Sequence, residues 1–314
     1  MSAELVRRWL EAGELDLPVP GSGHTAMRWS KLAALTEHDV VAGRLAEAHA
    51  DAVAILAELG GPATQRGQLW GVWAAEAAEA VVVAHGDAGA SAVLEGTKAW
   101  CSGAGLCTHA LVTARRNDNS RGLYSVDLQQ PQVIPLTHSW RNAGMCDSDT
   151  RSVQFTNAPA VAVGEPGAYL DRPGFWHGAI GVAACWLGAA RGVAAPLYRA
   201  VGDEHTSASH DVHAHAHLGA VDAALAAAEA MLWSAAVYVD AQSHDGRGEL
   251  VARRVRAVVE HAVDEVITRT GRALGPTPLA LDAKHAQRVA DLAIYVRQSH
   301  AERDLAALGR AAAR

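Results

Sequence analysis

The apolar positions change period twice along the chain. Residues 2–12 suit one short helix, and Leu17-Pro-Val-Pro-Gly-Ser-Gly-His24 reads as loop because Pro and Gly interrupt any period. Leu45, Ala48, Ala52, Leu56 and Leu59 then recur at helical spacing. Thr36 is placed to cap that helix, and Asp39 falls in its first turn, where the helix dipole favours an anion. Gly60-Gly61-Pro62 ends it. From about 68 to 163 the texture turns to short β-branched or alternating runs: Val81–Ala84, Ala110–Ala114, Leu123–Leu128 and Ser152–Thr156. Turn formers at Gly86-Asp87, Asn117-Asp118-Asn119 and Asn157-Ala-Pro159 separate them, which predicts a compact antiparallel β-domain.

After Gly174 helical spacing returns and persists. Gly181–Val201 is Ala-rich, with small residues at Gly188-Ala-Ala and Gly192 that allow close helix contact. Leu218, Val221, Leu225, Ala228, Leu232, Ala235 and Val239 alternate by three and four, as in a heptad. Val251, Val255, Val258, Ala262 and Val266 form a second stripe. A last helix is expected from about Ala283 to Ala312, with Val289, Leu292 and Val296 on one face. The fold class is therefore α+β, mostly α. It has a short N-terminal helical region (1–65), a central antiparallel β-domain (66–165) and a C-terminal four-helix bundle (170–314).

Composition narrows the functional classes. Half the residues are apolar and 19% are charged, a globular balance. The net charge of −7 with no Lys/Arg block argues against a nucleic-acid surface. Cys101, Cys107, Cys146 and Cys185 fit no zinc or redox spacing and read as reduced thiols. No apolar run approaches the roughly 20 residues of a membrane span. Charges near Met1 sit where a signal peptide needs an apolar core, so a cytoplasmic location is expected.

Three stretches carry a family resemblance. Leu94-Glu-Gly-Thr-Lys-Ala-Trp-Cys-Ser-Gly-Ala-Gly105 resembles the Gly-x-Lys-x-Trp-[Ile/Val]-[Ser/Thr] segment of acyl-CoA dehydrogenases, which lies along the flavin. The run from Gly144-Met-Cys-Asp-Ser148 to Pro159 is similar to the family's Gly-Met-Arg-x-[Ser/Thr] strand that closes the β-domain. Gly181-Val-Ala-Ala-Cys-Trp-Leu-Gly-Ala-Ala-Arg-Gly192 is similar to the first bundle helix. The resemblance covers residues 65–200 well and 210–312 more loosely.

The resemblance implies FAD held between the β-domain and the bundle, across a subunit interface. A flavin ring needs an apolar wall and a few donors aimed at its polar edge. By resemblance Trp100 walls the ring, Ser102 donates near N5, and the backbone N–H groups around Gly103–Gly105 serve ring or phosphate oxygens. The alternative is that Trp100 is a buried strand aromatic and Ser102 a turn residue. Leu69-Trp-Gly-Val-Trp-Ala-Ala-Glu76 stands where the family has a Thr-Glu-Pro-x-x-Gly-Ser-Asp loop. Only Glu76 matches there; Trp70 and Trp73 either stack on a ring or pack in the core.

The chain also departs from the family. The region before the β-domain is about half the family's helical domain, which bears on any long acyl channel. The family's pyrophosphate-binding Arg-x-x-Phe-Gly segment is replaced by His205–Leu218, with five histidines and no Arg. His210, His213 and His217 would share a face on a helix, which admits a metal, a phosphate contact or an exposed helix start. The catalytic carboxylate follows an Arg-Asp-x-x-x-x-Tyr run in the family, and gapless matching puts Ser299 at its position. Glu302, three residues on, is a candidate base, or an exposed Glu paired locally. His300, one turn beyond Val296 on the inward stripe, is the other candidate; related flavin monooxygenases use a histidine from this end.

Three functions follow from the resemblance. One is desaturation of an acyl thioester by hydride transfer to FAD, with electron-transfer flavoprotein as acceptor. Another is flavin-dependent monooxygenation on the same fold. The third is a non-catalytic subunit that pairs with a full-length homologue. A homodimer or homotetramer built through the bundle is also expected.

Overall fold

The computed structural model describes residues 2–86, 91–137, 140–241 and 246–313. It forms two compact units, each discontinuous in sequence. The first comprises Met1–Leu17, Leu45–Arg141 and Cys146–Phe175; the second comprises Pro18–Arg44, Asn142–Met145 and Trp176–Arg314.

In the first unit, α1 (Ser2–Glu11) and most of α3 (Val40–Leu59) accompany seven strands. These are β1 (Trp70–Trp73), β2 (Val82–His85), β3 (Ser91–Cys101), β4 (His109–Arg115), β5 (Arg121–Asp127), β6 (Val133–Pro135) and β7 (Arg151–Ala162). A short α4 (Ala168–Asp171) follows. Strands β4, β2, β3, β7 and β5 pair in that order, and β5 returns to β4, so the sheet closes into a small barrel. The barrel is not wholly antiparallel: β1 and β2 both run parallel to β4 along one edge. The expected runs are present as β2, β4, β5 and β7, and β1, β3 and β6 are additions. A four-residue Trp-Gly-Val-Trp run and a three-residue Val-Ile-Pro run are too short to show alternation.

Closure creates an interior, filled by Leu94, Val112, Tyr124, Val153, Phe155 and Trp73. A second cluster on the outer face joins Ala52, Ile55 and Leu56 of α3 to Trp70, Leu111 and Leu123. The α3 stripe read from the sequence thus packs on the barrel. Asn157-Ala-Pro159, expected as a turn, lies inside the 12-residue β7. Asn157 adopts φ +50 and the register slips against β3 between Leu94 and Gly96. The Asn157 N–H donates to Glu95 Oε2 at 2.7 Å, so the turn chemistry makes a bulge rather than a reversal.

The second unit is helical. It contains α2 (Thr25–His38), α5 (Gly174–Gly202), α6 (Val212–Asp240), α7 (Gly248–Leu274), α8 (Thr277–Leu281), α9 (Ala283–Tyr295) and α10 (Glu302–Ala312). Helix α2 was not expected, and Thr36 is part of it rather than a cap: its hydroxyl donates to Leu32 O at 2.8 Å. Asp39 caps α3 instead, accepting from Ala42 N at 2.7 Å. Close contact through small residues does occur. A Cβ on Gly188 would be driven into the Ala33 backbone of α2, and one on Gly192 would meet Glu37 O at 3.1 Å. The four-helix bundle therefore needs amending: α2 joins α6, and α10 packs on α7 as a separate helix.

Helices α5 and α6 are both 29 residues and apolar enough, by length and composition, to cross a membrane, contrary to the sequence expectation. The most apolar stretch of α5 is 78% buried inside the protein, which marks it as a core helix. Of the four cysteines, Cys101, Cys107 and Cys185 are buried and Cys146 is exposed.

Candidate functional site

In the barrel, β3 ends in two departures from regular pairing. Its register against β7 shifts between Lys98 and Cys101, and Trp100 in that gap takes φ +61. A left-handed backbone is uncommon for a bulky residue and places the indole outward. Trp100 is 61% exposed, so it is not a buried strand aromatic. Trp140 braces it edge-on, with ring centroids 6.4 Å apart and planes at 88°.

Ser102 follows. Its hydroxyl lies 3.0 Å from Thr150 Oγ1, which lies 2.7 Å from Ser148 Oγ. Ser148 and Thr150 are buried and Ser102 is half-buried. Three hydroxyls joined by two hydrogen bonds leave one proton uncommitted. When Ser148 donates to Thr150 and Thr150 to Ser102, the Ser102 proton is free to point outward, and the chain polarises it. Thr150 and Ser148 were not singled out from the sequence. The hydroxyl position of the strand-closing motif, which falls on Ser148, is the signal that marks them.

The Gly103–Gly105 amides, expected to serve ring or phosphate oxygens, donate within the chain in this structure. Gly103 N donates to Ser148 O at 2.8 Å, Ala104 N to Asp149 O at 3.2 Å and Gly105 N to Asp149 Oδ2 at 2.8 Å. Gly103 instead serves the turn itself, with φ +73 and a virtual Cβ only 2.7 Å from Cys107 Sγ. Trp73 is 2% exposed and belongs to the barrel interior. It reaches the site through one bond, from its indole N–H to Ser102 O at 3.0 Å. Glu76 pairs with Arg121 at 2.6 Å on the surface.

Lys98 explains the lysine of the motif. It is buried and donates to Thr113 O at 2.9 Å and Thr113 Oγ1 at 2.8 Å, tying β3 to β4 from inside. Burial lowers its pKa to about 8, against the pull of Cys101 and Glu76.

In the helical unit, the last helix is not continuous. After Tyr295 comes a 3-10 turn over Val296–Gln298, then extended Ser299 and left-handed Ala301 with φ +46. The break resets the helical phase. Ser299 turns inward and donates to Glu260 Oε2 of α7 at 2.5 Å. His300, expected on an inward stripe, has a 65% exposed side chain; its backbone N–H is held by Asp304 Oδ2 at 3.0 Å. Glu302 is exposed in the first turn of α10, where a carboxylate complements the helix dipole. Neighbouring cations are also committed: Arg256 lies 4.5 Å over the Trp186 ring and Arg253 lies 5.0 Å over Trp176.

The histidine-rich segment does not share one face. His210 closes a 3-10 turn with its Nε2 3.2 Å from Glu204 O, and α6 starts only after Asp211, which caps it. Among the described residues no group of three or more His, Cys, Asp or Glu is arranged to hold a metal.

No family model matches the sequence, and no curated protein matches it either. Solved structures do share the fold. Dibenzothiophene monooxygenase TdsC from Paenibacillus sp. A11-2 is 17% identical with a TM-score of 0.76, over 98% of this chain and 94% of its own. KijD3, solved with FMN and a dTDP-linked amino-keto sugar, is 18% identical with a TM-score of 0.79, over 99% and 91%. A variant of the Tcur3481-Tcur3483 steroid ACAD is 21% identical with a TM-score of 0.74, over 99% and 88%. The chain therefore has the acyl-CoA dehydrogenase fold.

Proposed function

We propose that this chain is a flavin-dependent oxidoreductase acting on a small molecule. Trp100 is the wall for the isoalloxazine ring and Ser102 the donor to its polar edge. The carrying observation is the outward indole of Trp100, held in a left-handed backbone two residues before the half-buried hydroxyl of Ser102, which is hydrogen-bonded to Thr150. A bound flavin would supply two-electron exchange. The chain's own part is to cover one ring face with the braced indole and to present a proton donor oriented by Thr150 and Ser148. The neighbours' printed ligands and reactions, FMN in KijD3 and monooxygenation in TdsC, support this reading.

Of the two chemistries, monooxygenation fits better than desaturation of an acyl thioester. Desaturation needs a carboxylate base. Ser299 stands at the base position, and Glu302 is a solvent-facing first-turn residue. A specific observation favours desaturation as the second reading: the Glu260 carboxylate is 2.5 Å from the Ser299 hydroxyl. The cofactor suggested by resemblance is FAD. The closed Gly103–Gly105 amides and the absence of Arg from His205–Leu218 favour the shorter FMN.

The test is an absorption spectrum after incubation with FMN or FAD and desalting. Retained flavin bands, lost in Trp100→Ala, support the proposal. Oxygen uptake with a flavin reductase then selects monooxygenation, and anaerobic reduction of an acceptor by an acyl-CoA selects desaturation. A colourless protein with both flavins sinks the proposal and leaves a non-catalytic partner of a complete homologue.

A further inference from the structure

Just before β1, one side chain has all its hydrogen-bond roles fixed. The Gln68 amide oxygen accepts from Gln65 N at 2.8 Å and from the Trp70 indole N–H at 3.1 Å. Both partners are donors, so the oxygen is held on their side and the amide NH2 faces His109 Nε2 at 3.2 Å. That nitrogen therefore presents its lone pair. The imidazole proton sits on Nδ1, 3.0 Å from Thr108 Oγ1, which also accepts from Leu69 N and donates to Leu69 O. One arrangement of protons satisfies all these atoms, and it requires His109 to be neutral. The same ring stacks on the Trp70 indole, with centroids 4.8 Å apart. Trp70 is held through its backbone as well, whose N–H donates to His49 Nδ1 of α3 at 3.2 Å.

We propose that His109 is an acid-sensitive latch whose protonation releases β1 from the edge of the barrel. A proton on Nε2 sets an N–H against the Gln68 NH2. Relief requires the amide to turn its oxygen towards His109, away from Gln65 N and Trp70 Nε1. Trp70 is 2% exposed, so its indole N–H would then lack both an acceptor and water. Strand β1 is the one to give way: it has four residues and, among the described strands, pairs only with β4. The surroundings of His109 favour its neutral form. Burial lowers its pKa from the ordinary 6.5, and Asp127, opposite it on β5, pulls the other way without prevailing. Of the other elements around it, β1 has no titratable side chain, the loop before β1 has the exposed Arg66, the turn before β4 has Cys107, and α3 supplies His49. A histidine held neutral gives a latch that is closed above pH 6.5 and loosens as pH falls below it. At the other end of β1, Trp73 donates its indole N–H to Ser102 O, so release of the strand also frees the Ser102 turn. The importance of that turn rests on the flavin reading; the latch itself does not.

The test is amide hydrogen exchange of the full chain, corrected for the intrinsic rate at each pH. It follows residues 68–73 against residues 91–98 of β3. Exchange in 68–73 is expected to rise about tenfold between pH 7.5 and pH 5, with no such rise in 91–98. His109→Gln keeps a neutral acceptor in reach of Gln68 and is expected to remove the rise. Gln68→Glu keeps an oxygen for Trp70 and adds one for a protonated ring. It is expected to reverse the trend, holding β1 more firmly at pH 5 than at pH 7.5. Equal exchange of 68–73 at the two pH values in wild type overturns the proposal. So does an undiminished rise in His109→Gln, which would assign the effect to His49 or Asp127, or a rise in 91–98 as large as that in 68–73, which would mean acid unfolding of the whole barrel.

Discussion

The end of β3 and the corner between α9 and α10 depart from regular structure by the same device, with opposite results. Each uses a left-handed residue, Trp100 in one and Ala301 in the other. At the end of β3 the kink turns an indole outward, two residues before the Ser102 hydroxyl that meets Thr150. At the corner it turns Ser299 inward onto Glu260 and leaves His300 and Glu302 facing solvent. A strained backbone is therefore no guide to function by itself. What distinguishes the two is exposure: the ring of Trp100 is 61% exposed, whereas Ser299 is buried against Glu260.

That contrast can be broken most severely at the indoles. Trp73→Ala removes a buried ring and is expected to lower stability by about 3–5 kcal/mol, measured by urea denaturation. Trp100→Ala should change stability by less than about 1 kcal/mol, because the ring is exposed, yet weaken flavin binding by about tenfold or more. Equal stability losses would remove the distinction between core and site.

Lys98 gives a pH test. Its folded pKa of about 8 lies below its ordinary 10.5, so between these values the unfolded chain binds more protons than the folded one. The buried charge opposes folding below pH 8, and that penalty is relieved as pH rises from 8 towards 10.5. The stability of wild type relative to Lys98→Met should rise over this window, by up to about 3 kcal/mol. A flat difference means that Lys98 is not desolvated.

At the corner, Ser299→Ala removes a hydroxyl that donates to a partly buried carboxylate. The expected loss is roughly 1–3 kcal/mol. His300→Ala is expected to stay within about 0.5 kcal/mol, as for an exposed residue. If His300→Ala abolishes turnover while leaving stability and flavin binding intact, the corner is a site after all and the comparison reverses.

Much of the scaffold was legible from periodicity. The strand runs 81–84, 110–114 and 123–128, and the inner seam of α6, needed only alternation of two or of three and four. The failures have physical causes. Asn157-Ala-Pro159 has turn chemistry, but pairing on both sides of β7 converts it into a bulge. The stripe through Val296 predicts an inward His300 only for an unbroken helix, and the 3-10 turn at Val296–Gln298 with extended Ser299 ends that continuity. At the site, Trp100 and Ser102 were found through the motif they occupy. The commitment of the Gly103–Gly105 amides was invisible, because their acceptors lie over 40 residues away along the chain.

The sequence by itself determined where helix gives way to strand and back, which faces are apolar, and that an indole and a hydroxyl stand two residues apart at Trp100 and Ser102. These are local properties, set by side-chain spacing and backbone preference. Only the tertiary structure decided which polar groups are spoken for. Barrel closure brings Asp149 to the Gly105 amide and Thr150 to Ser102, and helix packing brings Glu260 to Ser299. A buried donor or acceptor is satisfied by whichever partner the fold delivers, and that partner's identity is not encoded within a window of sequence.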